Sequence, residues 1–373
     1  MRGDDTIAIA RRPALVAFDS RPSMRPFLFV VLAAVALALA LPAVAHAQRS
    51  STADLHKPAD ERRGTPYGAR ADVRAFAADV SADTGLDRAR VERWLGAARY
   101  LPQVVALMSK PFVDPPKWFD YAPPFLSTER IGAGAVWWDA NADALARAEA
   151  KWDVPPEIIV AIVGIETYYG RVAGSYRVID ALATLAFDYP RRAAFFRGEL
   201  KEFLLMARDQ GVSPLAPKGS FAGAMGVPQF MPGSFRRYAV DFDGDARIDL
   251  WESGADVAGS VANYLSRHDW ARGGPLLVPA RIEANKLDTV LRRLDGGISE
   301  RRPLDAWAAD GVEPASLIEP VDEPVGLLML EERDGGASFW IACPNFYVIT
   351  RYNRSRLYAS AVVFLAEALR NAR

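Results

Sequence analysis

One segment of this 373-residue chain is apolar on every side of a helix, and it limits the folds that the chain can adopt. It begins after Pro155 and Pro156, which are tolerated in the first turn of a helix. The pattern predicts a helix from Glu157 to Tyr169 in which Ile, Val and Ala dominate. A helix without a polar face is buried, so we expect this one inside a mainly helical core.

A single carboxylate near the end of this helix, Glu166, is the first candidate for chemistry. Burial penalises the charged form of a carboxyl group and raises its pKa. A carboxylic acid that stays protonated near neutral pH is the group that protonates the leaving oxygen in glycosidic bond cleavage. The residues alone leave a second hypothesis open, in which Glu166 is a core residue paired with Arg171 or another arginine.

The composition excludes several other classes of protein. The net charge is −1, so the chain lacks the excess positive charge that is typical of nucleic-acid-binding proteins. This charge is compatible with a neutral, sugar-like ligand. The histidines are His46, His56 and His268, and the first lies in a segment that we expect to be removed, so a multi-histidine metal site is excluded. The only cysteine, Cys343, excludes an intrachain disulfide and a lipid-attachment cysteine in the leader. We expect no organic cofactor and no nucleic-acid partner.

The N-terminus indicates the cellular compartment. An uninterrupted apolar run extends from Phe27 to Leu41, and Ala45-His46-Ala47 follows as a small-x-small cleavage signature. The run is shorter than the about 20 residues that a membrane span needs. We predict a signal peptide over 1–47 and a periplasmic protein that is soluble after cleavage; an uncleaved anchor is the alternative. The basic start at Met24 indicates that translation begins there, and 48–70 is expected to be a flexible lead-in.

The remaining patterns predict a mainly α (α+β) fold. Strand-like runs occur only in the C-terminal third, where Asp334-Gly335-Gly336 predicts a hairpin turn in a small β subdomain. The segment 104–125 is rich in proline and aromatic residues and is expected to be coil with brief helix. The predicted helices besides 157–169 are 71–80, 86–97, 136–151, 180–187, 191–208, 257–267 and 355–370, and the predicted strands are 275–282, 325–331 and 338–350.

A loop punctuated by Gly, Ser and Pro is predicted over 219–233. Small residues let a sugar ring approach the backbone closely. Ser220 and Gln229 would hydrogen-bond sugar hydroxyls or an N-acetyl group. Apolar contact would come from Met225, Phe230 and Met231. On spacing alone, a tight structural turn explains the same segment.

An acidic loop beginning at Asp241 has the spacing of oxygen ligands for calcium. Its sixth position is Ala246, where the standard EF-hand loop has glycine. The loop therefore follows a variant path closed by Glu252, or its closing ligand is Asp256; a solvated acidic turn is the alternative without a metal. The earlier ligands would be the carboxylates of Asp241, Asp243 and Asp245 and the backbone carbonyl of Arg247.

Three tyrosines are further candidates for sugar contact. Tyr264 lies on the helix after the acidic loop, and Tyr352 and Tyr358 lie near the C-terminus. Aromatic rings stack on sugar faces and their hydroxyls bond sugar oxygens, although each tyrosine taken singly is more often core packing.

Five motifs in this order resemble the lytic murein transglycosylase B family, and the similarity extends from about Val73 to the C-terminus. The resemblance implies a lysozyme-like helical core, a helical domain and a small β domain. It also implies cleavage of the β-1,4 bond between N-acetylmuramic acid and N-acetylglucosamine in peptidoglycan, without water and with a 1,6-anhydro end. The motifs are Gly164-Ile165-Glu166-Thr167, Ser220 to Pro232, the acidic loop, Gly259 to Tyr264 and Ile349-Thr350-Arg351-Tyr352-Asn353.

The resemblance also implies roles for single residues. Glu166 would be the sole general acid and base, because the substrate's own 6-hydroxyl replaces the second carboxylate of an ordinary glycosidase. Ser220 and Gln229 would line the sugar subsites, and Tyr264, Tyr352 and Tyr358 would line the cleft. A structural calcium ion would be held by Asp241, Asp243, Asp245, the Arg247 carbonyl and, as the closing ligand, Asp256.

This chain departs from the family pattern in two places. Asp243 makes the calcium loop more acidic, and Val227-Pro228 before Gln229 stiffens the glycine-containing loop. The resemblance implies one transglycosylase region over 71–373. We expect the protein to act as a monomer on peptidoglycan glycan strands. The parts of this region are a helical domain at 71–152, a catalytic core with the calcium loop at 153–273, a β subdomain at 274–350 and a closing helix at 351–373.

Two other functions remain open at this stage. A hydrolytic muramidase on the same fold would use a water molecule held by a second carboxylate such as Asp180 or Asp188. A non-catalytic, calcium-stabilised protein that binds peptidoglycan would need no acid at Glu166, and the intact motif around Glu166 argues against it.

Overall fold

The computed structural model describes residues 64, 66–110, 115–318 and 323–373. The predicted signal peptide, the start at Met24 and most of the lead-in lie outside these residues. The chain forms two compact units. We call the one that contains Ala133–Tyr264 and the described residues before Pro115 the Glu166 unit, and the one that contains Pro115–Gly132 and Leu265–Arg373 the sheet unit.

Helices dominate the first two thirds of the described chain, and strands concentrate in the last third. The helices, in chain order, are α1 Ala71–Thr84, α2 Arg88–Gly96, α3 Pro102–Met108, α4 Trp118–Tyr121, α5 Thr128–Ala140, α6 Ala142–Trp152, α7 Pro156–Thr167, α8 Val178–Asp188, α9 Ala193–Asp209, α10 Pro232–Tyr238, α11 Gly254–Ser266, α12 Leu287–Leu291, α13 Leu304–Ala309, α14 Pro344–Tyr352 and α15 Arg356–Asn371. The strands are β1 Tyr176–Arg177, β2 Lys218–Gly219, β3 Leu277–Ile282, β4 Val312–Pro314, β5 Gly326–Glu331 and β6 Ala337–Ala342. The predicted mainly α fold with a small β region is confirmed.

The apolar segment forms α7, and its position in the core is as predicted. Pro156 occupies the first turn, and every residue from Ile158 to Ile165 is buried. Helix α8 is buried from Val178 to Phe187 and packs on α9. Burying one Ile, Leu or Val side chain contributes about 1.5–3 kcal/mol, so these helices supply much of the stability of the Glu166 unit.

The lead-in ends earlier than the sequence suggested. Tyr67, expected at the end of a flexible segment, is buried and donates a hydrogen bond from its hydroxyl to Asp188 at 2.7 Å. Arg70 forms ion pairs with Asp188 at 2.8 Å and with Asp72 at 2.7 Å. These contacts come from residues far away in sequence, which is why local composition did not reveal them.

The single helix predicted over 136–151 is wrong, because two helices occupy the segment. Helix α5 ends at Ala140, Asn141 adopts a non-helical backbone, and α6 begins at Ala142. The Asn141 side-chain amide donates to the carbonyl of Trp137 at 2.8 Å. A Cβ atom added at Gly254 would overlap the Asn141 side chain, so the break packs directly against the start of α11.

The sheet unit contains a four-stranded antiparallel sheet in the order β4-β3-β6-β5. Strands β5 and β6 form the predicted hairpin, in which Leu328 pairs with Trp340 and Gly335 has a φ of 89° at the turn. Only glycine adopts such a φ without strain. The sheet covers a core that includes the fully buried Trp307, whose indole donates to the Val325 carbonyl at 2.9 Å.

Two sequence predictions are wrong about where helices begin. The strand predicted over 338–350 ends at Ala342, and the chain then forms α14 with Pro344 in its first turn. The predicted loop 219–233 likewise ends early, because Pro232 begins α10. In both places β-branched or small residues suggested strand or loop, whereas a proline at the first position marked a helix. No helix among the described residues is long and apolar enough to cross a membrane.

Candidate active site

The end of α7 carries Glu166 into an unusual backbone turn. Glu166 is half-buried, while its neighbours Ile165 and Thr167 are buried. Tyr168, Tyr169 and Gly170 follow with φ values of 52°, 59° and 85°. Left-handed conformation is uncommon for residues other than glycine, and consecutive examples concentrate at functional sites. The turn ends the helix at Thr167 and so leaves Glu166 in the last helical turn.

Thr167 ties this turn to the glycine-containing loop. Its hydroxyl donates to the backbone carbonyl of Val227 at 2.9 Å and accepts the Gly170 N–H at 3.0 Å. The side chain is only 1 % exposed, so both hydrogen bonds are shielded from water. Sequence reasoning placed Thr167 in a motif but gave it no role; the signal was a small hydroxyl side chain directly beside the candidate acid.

The loop over 219–231 is shaped by close backbone approaches. Gly226 has a φ of 67°, and a Cβ atom there would lie 2.5 Å from the carbonyl oxygen of Leu250. Ser220 closes the loop internally, because its hydroxyl oxygen accepts the Ala224 N–H at 3.1 Å. The Ser220 hydroxyl proton faces no acceptor among the described residues. The segment is therefore both a tight structural turn and a surface that offers a donor.

Gln229 is held in a fixed orientation within this loop. Its backbone is left-handed, with a φ of 53°. The side-chain nitrogen donates to the carbonyls of Gly226 at 2.8 Å and Ala173 at 3.2 Å. The amide oxygen makes no hydrogen bond within the described part of the chain and is left to accept one. Gln229 lies two residues from Val227, so the Thr167 contact couples its position to that of Glu166.

The alternative in which Arg171 neutralises Glu166 is not supported by the geometry. The Arg171 guanidinium lies 4.8 Å from the centre of the Tyr168 ring, a cation–π contact. It forms no salt bridge with any residue that the structure describes. The Arg171 side chain is exposed, so it does not hold Glu166 as a buried ion pair.

Both carboxylates considered for a hydrolytic water are already engaged. Asp180 forms an ion pair with Arg177 at 2.8 Å and accepts the Arg99 N–H at 3.0 Å. Asp188 forms an ion pair with Arg70 at 2.8 Å and accepts the Tyr67 hydroxyl. Burial, together with the negative charge of Asp188, raises the pKa of the Tyr67 hydroxyl well above its usual value. These carboxylates hold the N-terminal segment on α8, and neither is left to orient a water molecule.

The acidic loop folds around its own carboxylates. The Asp241 side chain accepts the N–H groups of Gly244 at 2.7 Å and Ala246 at 2.9 Å. Ala246 has a φ of 69°, so the sixth position keeps the left-handed conformation of a standard calcium loop although it is not glycine. Asp245 accepts the N–H of Arg247 at 2.8 Å. The variant sequence thus follows the usual backbone path at that position.

Three of the predicted ligands converge. Carboxylate oxygens of Asp241, Asp243 and Asp256 lie within 4.8 Å of one another, whereas Asp245 and Glu252 lie outside this group. Burial, together with the negative charge of Asp243, raises the pKa of Asp256. The hydroxyl of Ser253 donates to Asp243 at 2.6 Å and holds the pKa of that carboxyl below its usual value. Oxygen donors of this kind suit a hard cation such as calcium.

The buried end of this loop is Asp256. One of its oxygens accepts the Phe242 N–H at 2.7 Å, and the other accepts the Asp249 N–H at 2.7 Å. The first residue of α11, Gly254, follows Ser253, whose hydroxyl accepts the Asp256 N–H at 3.2 Å. Asp256 therefore connects both ends of the acidic loop to α11.

The three predicted tyrosines differ in exposure. Tyr264 is 8 % exposed and packs edge-on against Tyr238, with ring centres 4.9 Å apart. Tyr358 is 3 % exposed and stacks on the half-buried Tyr352 at 6.5 Å. Their predicted contact with sugar stays a prediction, and for Tyr264 and Tyr358 burial leaves little ring surface for it.

Comparison with known proteins identifies the class to which this fold and site belong. Residues 68–367 match the family described as Transglycosylase SLT domain. The chain is 44 % identical over 300 residues to membrane-bound lytic murein transglycosylase B of Escherichia coli (strain K12), which covers 78 % of this chain and 80 % of the relative.

Solved structures show the same fold. The Escherichia coli lytic transglycosylase Slt35 in complex with calcium has a TM-score of 0.74 and 41 % identity, over 84 % of this chain and 97 % of that one. SltB3 from Pseudomonas aeruginosa in complex with NAG-anhNAM-pentapeptide has a TM-score of 0.70 and 31 % identity, over 79 % of this chain and 78 % of that one. The predicted lysozyme-like architecture is confirmed.

The fold and these matches together define a lytic transglycosylase of peptidoglycan. The chain belongs to the transglycosylase SLT domain family, as the ordered motifs predicted.

Proposed function

We propose that Glu166 is the sole general acid and base of this enzyme. It donates its proton to the oxygen of the bond between N-acetylmuramic acid and N-acetylglucosamine as that bond breaks. It then accepts the proton of the muramyl 6-hydroxyl, whose oxygen bonds to the anomeric carbon and forms the 1,6-anhydro end. No water is consumed, and the proton returns to Glu166 at the end of the cycle.

One observation carries this proposal: Glu166 is the half-buried acid of the motif, while the alternative carboxylates Asp180 and Asp188 are held in ion pairs. An ordinary glycosidase needs a second carboxylate to act as base or nucleophile. A reaction in which the substrate supplies its own nucleophile does not need one. The anhydro sugar bound by the relative SltB3 is the kind of end that this reaction leaves.

Two loop residues are proposed to orient the sugars beside Glu166. The oxygen of the Gln229 amide is positioned to accept a hydrogen bond, such as one from an N-acetyl group, because the nitrogen is fixed by Gly226 and Ala173. The Ser220 hydroxyl supplies a donor. Tyr264, Tyr352 and Tyr358 are proposed to line the cleft on the strength of the family motifs.

A calcium ion is proposed to stabilise the acidic loop. Asp241, Asp243 and Asp256 would hold it through carboxylate oxygens, with Asp245 and the Arg247 carbonyl completing the set. Of the two candidates for the closing ligand, we choose Asp256 over Glu252, because Asp256 lies in the cluster with Asp241 and Asp243 and Glu252 does not. The calcium complex of the relative Slt35 supports this assignment. The role is structural, and the ion takes no part in the proton transfers.

Export to the periplasm, where peptidoglycan lies, is proposed from the predicted signal peptide over 1–47. N-terminal sequencing of the protein recovered from the periplasm tests cleavage after Ala47. The action of a monomer on glycan strands is part of the same proposal, and sedimentation of the purified protein tests it.

The product distinguishes this reaction from hydrolysis. Purified sacculi are digested with the enzyme, and the released muropeptides are measured by mass spectrometry. We expect anhydro-muropeptides, which are lighter by one water than the reducing muropeptides of a muramidase. Reducing ends as the main product would contradict the proposal, and release of neither product would favour a binding protein.

A further inference from the structure

The sheet unit contains a cavity that the proposed reaction does not use. Its volume is about 260 Å³, and its lining residues all lie between 268 and 351. Neither Tyr352 nor Tyr358 is among them. Helix α14 forms one wall, and Asn345 in its first turn fixes the opposite rim by donating to the carbonyls of Ala271 at 2.8 Å and Gly274 at 3.0 Å. The cavity is therefore a built feature of the unit.

An arginine with uncommitted donors lies in this cavity. The Arg301 guanidinium is 5.3 Å from the centre of the Tyr347 ring. It makes no hydrogen bond or salt bridge with the described residues, so its N–H groups are available to a ligand. Tyr347 is anchored in turn, because its hydroxyl donates to the Ser299 carbonyl at 3.3 Å. Arg351, one turn further along α14, adds a second guanidinium to the lining.

Acidic side chains also line the cavity, and they form no salt bridge with Arg301 in the described part of the chain. Asp269 and Glu323 are exposed lining residues, and neither forms a salt bridge within the ranges that the structure describes. Asp269 has a φ of 68°, a left-handed conformation that an L side chain rarely adopts. A pocket that keeps acidic and basic groups apart is complementary to a ligand that carries both charges.

We propose that this cavity binds the peptide stems of peptidoglycan through a free carboxylate and a free amino group. The carboxylate pairs with Arg301, whose planar guanidinium can form two parallel hydrogen bonds with it. The amino group lies towards Asp269 and Glu323. A cavity of this size accommodates the end of a peptide rather than a drug-sized or oligosaccharide ligand. This inference rests on the proposed function only for its choice of ligand.

Binding is tested without catalysis. A synthetic pentapeptide stem without sugar, acetylated at its N-terminus to mimic the link to muramic acid, is titrated into the full-length protein by calorimetry. It is compared with the same peptide as a C-terminal amide and with a form that is also acetylated on the side-chain amine of its diamino acid. We expect the first peptide to bind and each of the other two to bind about tenfold more weakly, as for the loss of a charge-assisted hydrogen bond. Equal binding of all three peptides, or no binding of the first, would overturn the proposal.

Two arginine variants locate the site. Arg301→Gln removes the guanidinium, and we expect about tenfold weaker binding of the stem with no further loss on amidation. Arg281→Gln changes an exposed arginine of β3 that does not line the cavity, and it should leave binding unchanged. If both variants bind like the parent, the peptide binds elsewhere and the assignment fails. An all-L peptide of the same charge that binds equally would overturn the stem as the ligand.

The two proposals fail separately. A protein that releases anhydro-muropeptides but binds no stem peptide disproves the cavity assignment alone. A protein that binds the stem through Arg301 but releases no muropeptide disproves the proposed reaction alone.

Discussion

The end of α7 and the acidic loop are held by opposite physical means. At the end of α7, buried apolar residues and the water-shielded hydrogen bonds of Thr167 fix the backbone around one carboxylate. In the acidic loop, exposed carboxylates fold the chain around themselves and only Asp256 is buried. The first arrangement needs nothing beyond the chain, whereas the second concentrates negative charge that a cation would relieve. The proposed catalytic residue therefore lies in a segment that is rigid without a ligand, whereas the proposed calcium site lies in a loop that a cation would stabilise.

The largest effect is expected at the catalytic carboxylate. Glu166→Gln removes the proton donor but keeps the shape, so we expect release of anhydro-muropeptides to fall by about 10²–10⁴-fold. The melting temperature should change little, because Glu166 is not part of the buried packing. Glu157→Gln, in the first turn of the same helix, is the matched control and should retain activity. Comparable turnover by the two variants would remove Glu166 from the mechanism.

Removal of calcium should act on the acidic loop alone. With calcium at about 100 times its Kd, binding to the folded state contributes about 2.7 kcal/mol, so chelation should lower the melting temperature by about 5–10 °C. Turnover at 25 °C should be largely retained. Asp256→Asn removes the buried ligand, and its melting temperature should no longer respond to chelation. If chelation instead abolishes turnover with little change in melting temperature, the structural role is wrong.

A smaller effect is expected where Thr167 joins the two loops. Thr167→Val keeps the side-chain shape but leaves the Val227 carbonyl and the Gly170 N–H without their buried partner. We expect a loss of about 1–3 kcal/mol in the free energy of unfolding measured with urea. Thr167→Ser keeps the hydroxyl and should restore most of both stability and activity. A Val variant as stable and active as the parent would show that the coupling is unimportant.

The smallest effect concerns Glu199, a half-buried carboxylate on α9 that accepts the Gly233 N–H at 2.8 Å. Burial raises its pKa. A raised folded-state pKa means a contribution to stability that is present below the usual glutamate pKa and is lost as pH rises through the raised value. Glu199→Gln cannot ionise, so its stability relative to the parent should increase slightly between pH 4 and pH 7. Parallel pH profiles from urea unfolding would contradict this.

Periodic patterns predicted much of the fold because they are local. The apolar run predicted α7 with its buried position, and Asp334-Gly335-Gly336 predicted the β5–β6 hairpin. The order of the motifs indicated Glu166, Ser220 and Gln229 as candidate site residues. The spacing of the acidic loop indicated its aspartates as candidate metal ligands.

The errors came from contacts distant in sequence. The break at Asn141 packs against Gly254, and Tyr67 is fixed by Asp188, so neither was visible in a local window. In 338–350 the β-branched residues after Pro344 favoured a strand, but tertiary packing outweighed that propensity and α14 formed. The role of Thr167 depends on a hydrogen bond to the backbone carbonyl of Val227. Every residue has a backbone carbonyl, so the sequence does not show which one Thr167 contacts.

The division of the chain into units has a consequence for its synthesis. Pro115–Gly132 belongs to the sheet unit, but its partners begin at Leu265. The backbone N–H of Trp118 donates to Glu331 at 3.2 Å, across a separation of 213 residues. At the about 5–20 residues per second of translation, this early segment waits many seconds for its partners. The sheet unit therefore cannot assemble stepwise during synthesis, and its early segment must stay unpaired until the last third of the chain has been made.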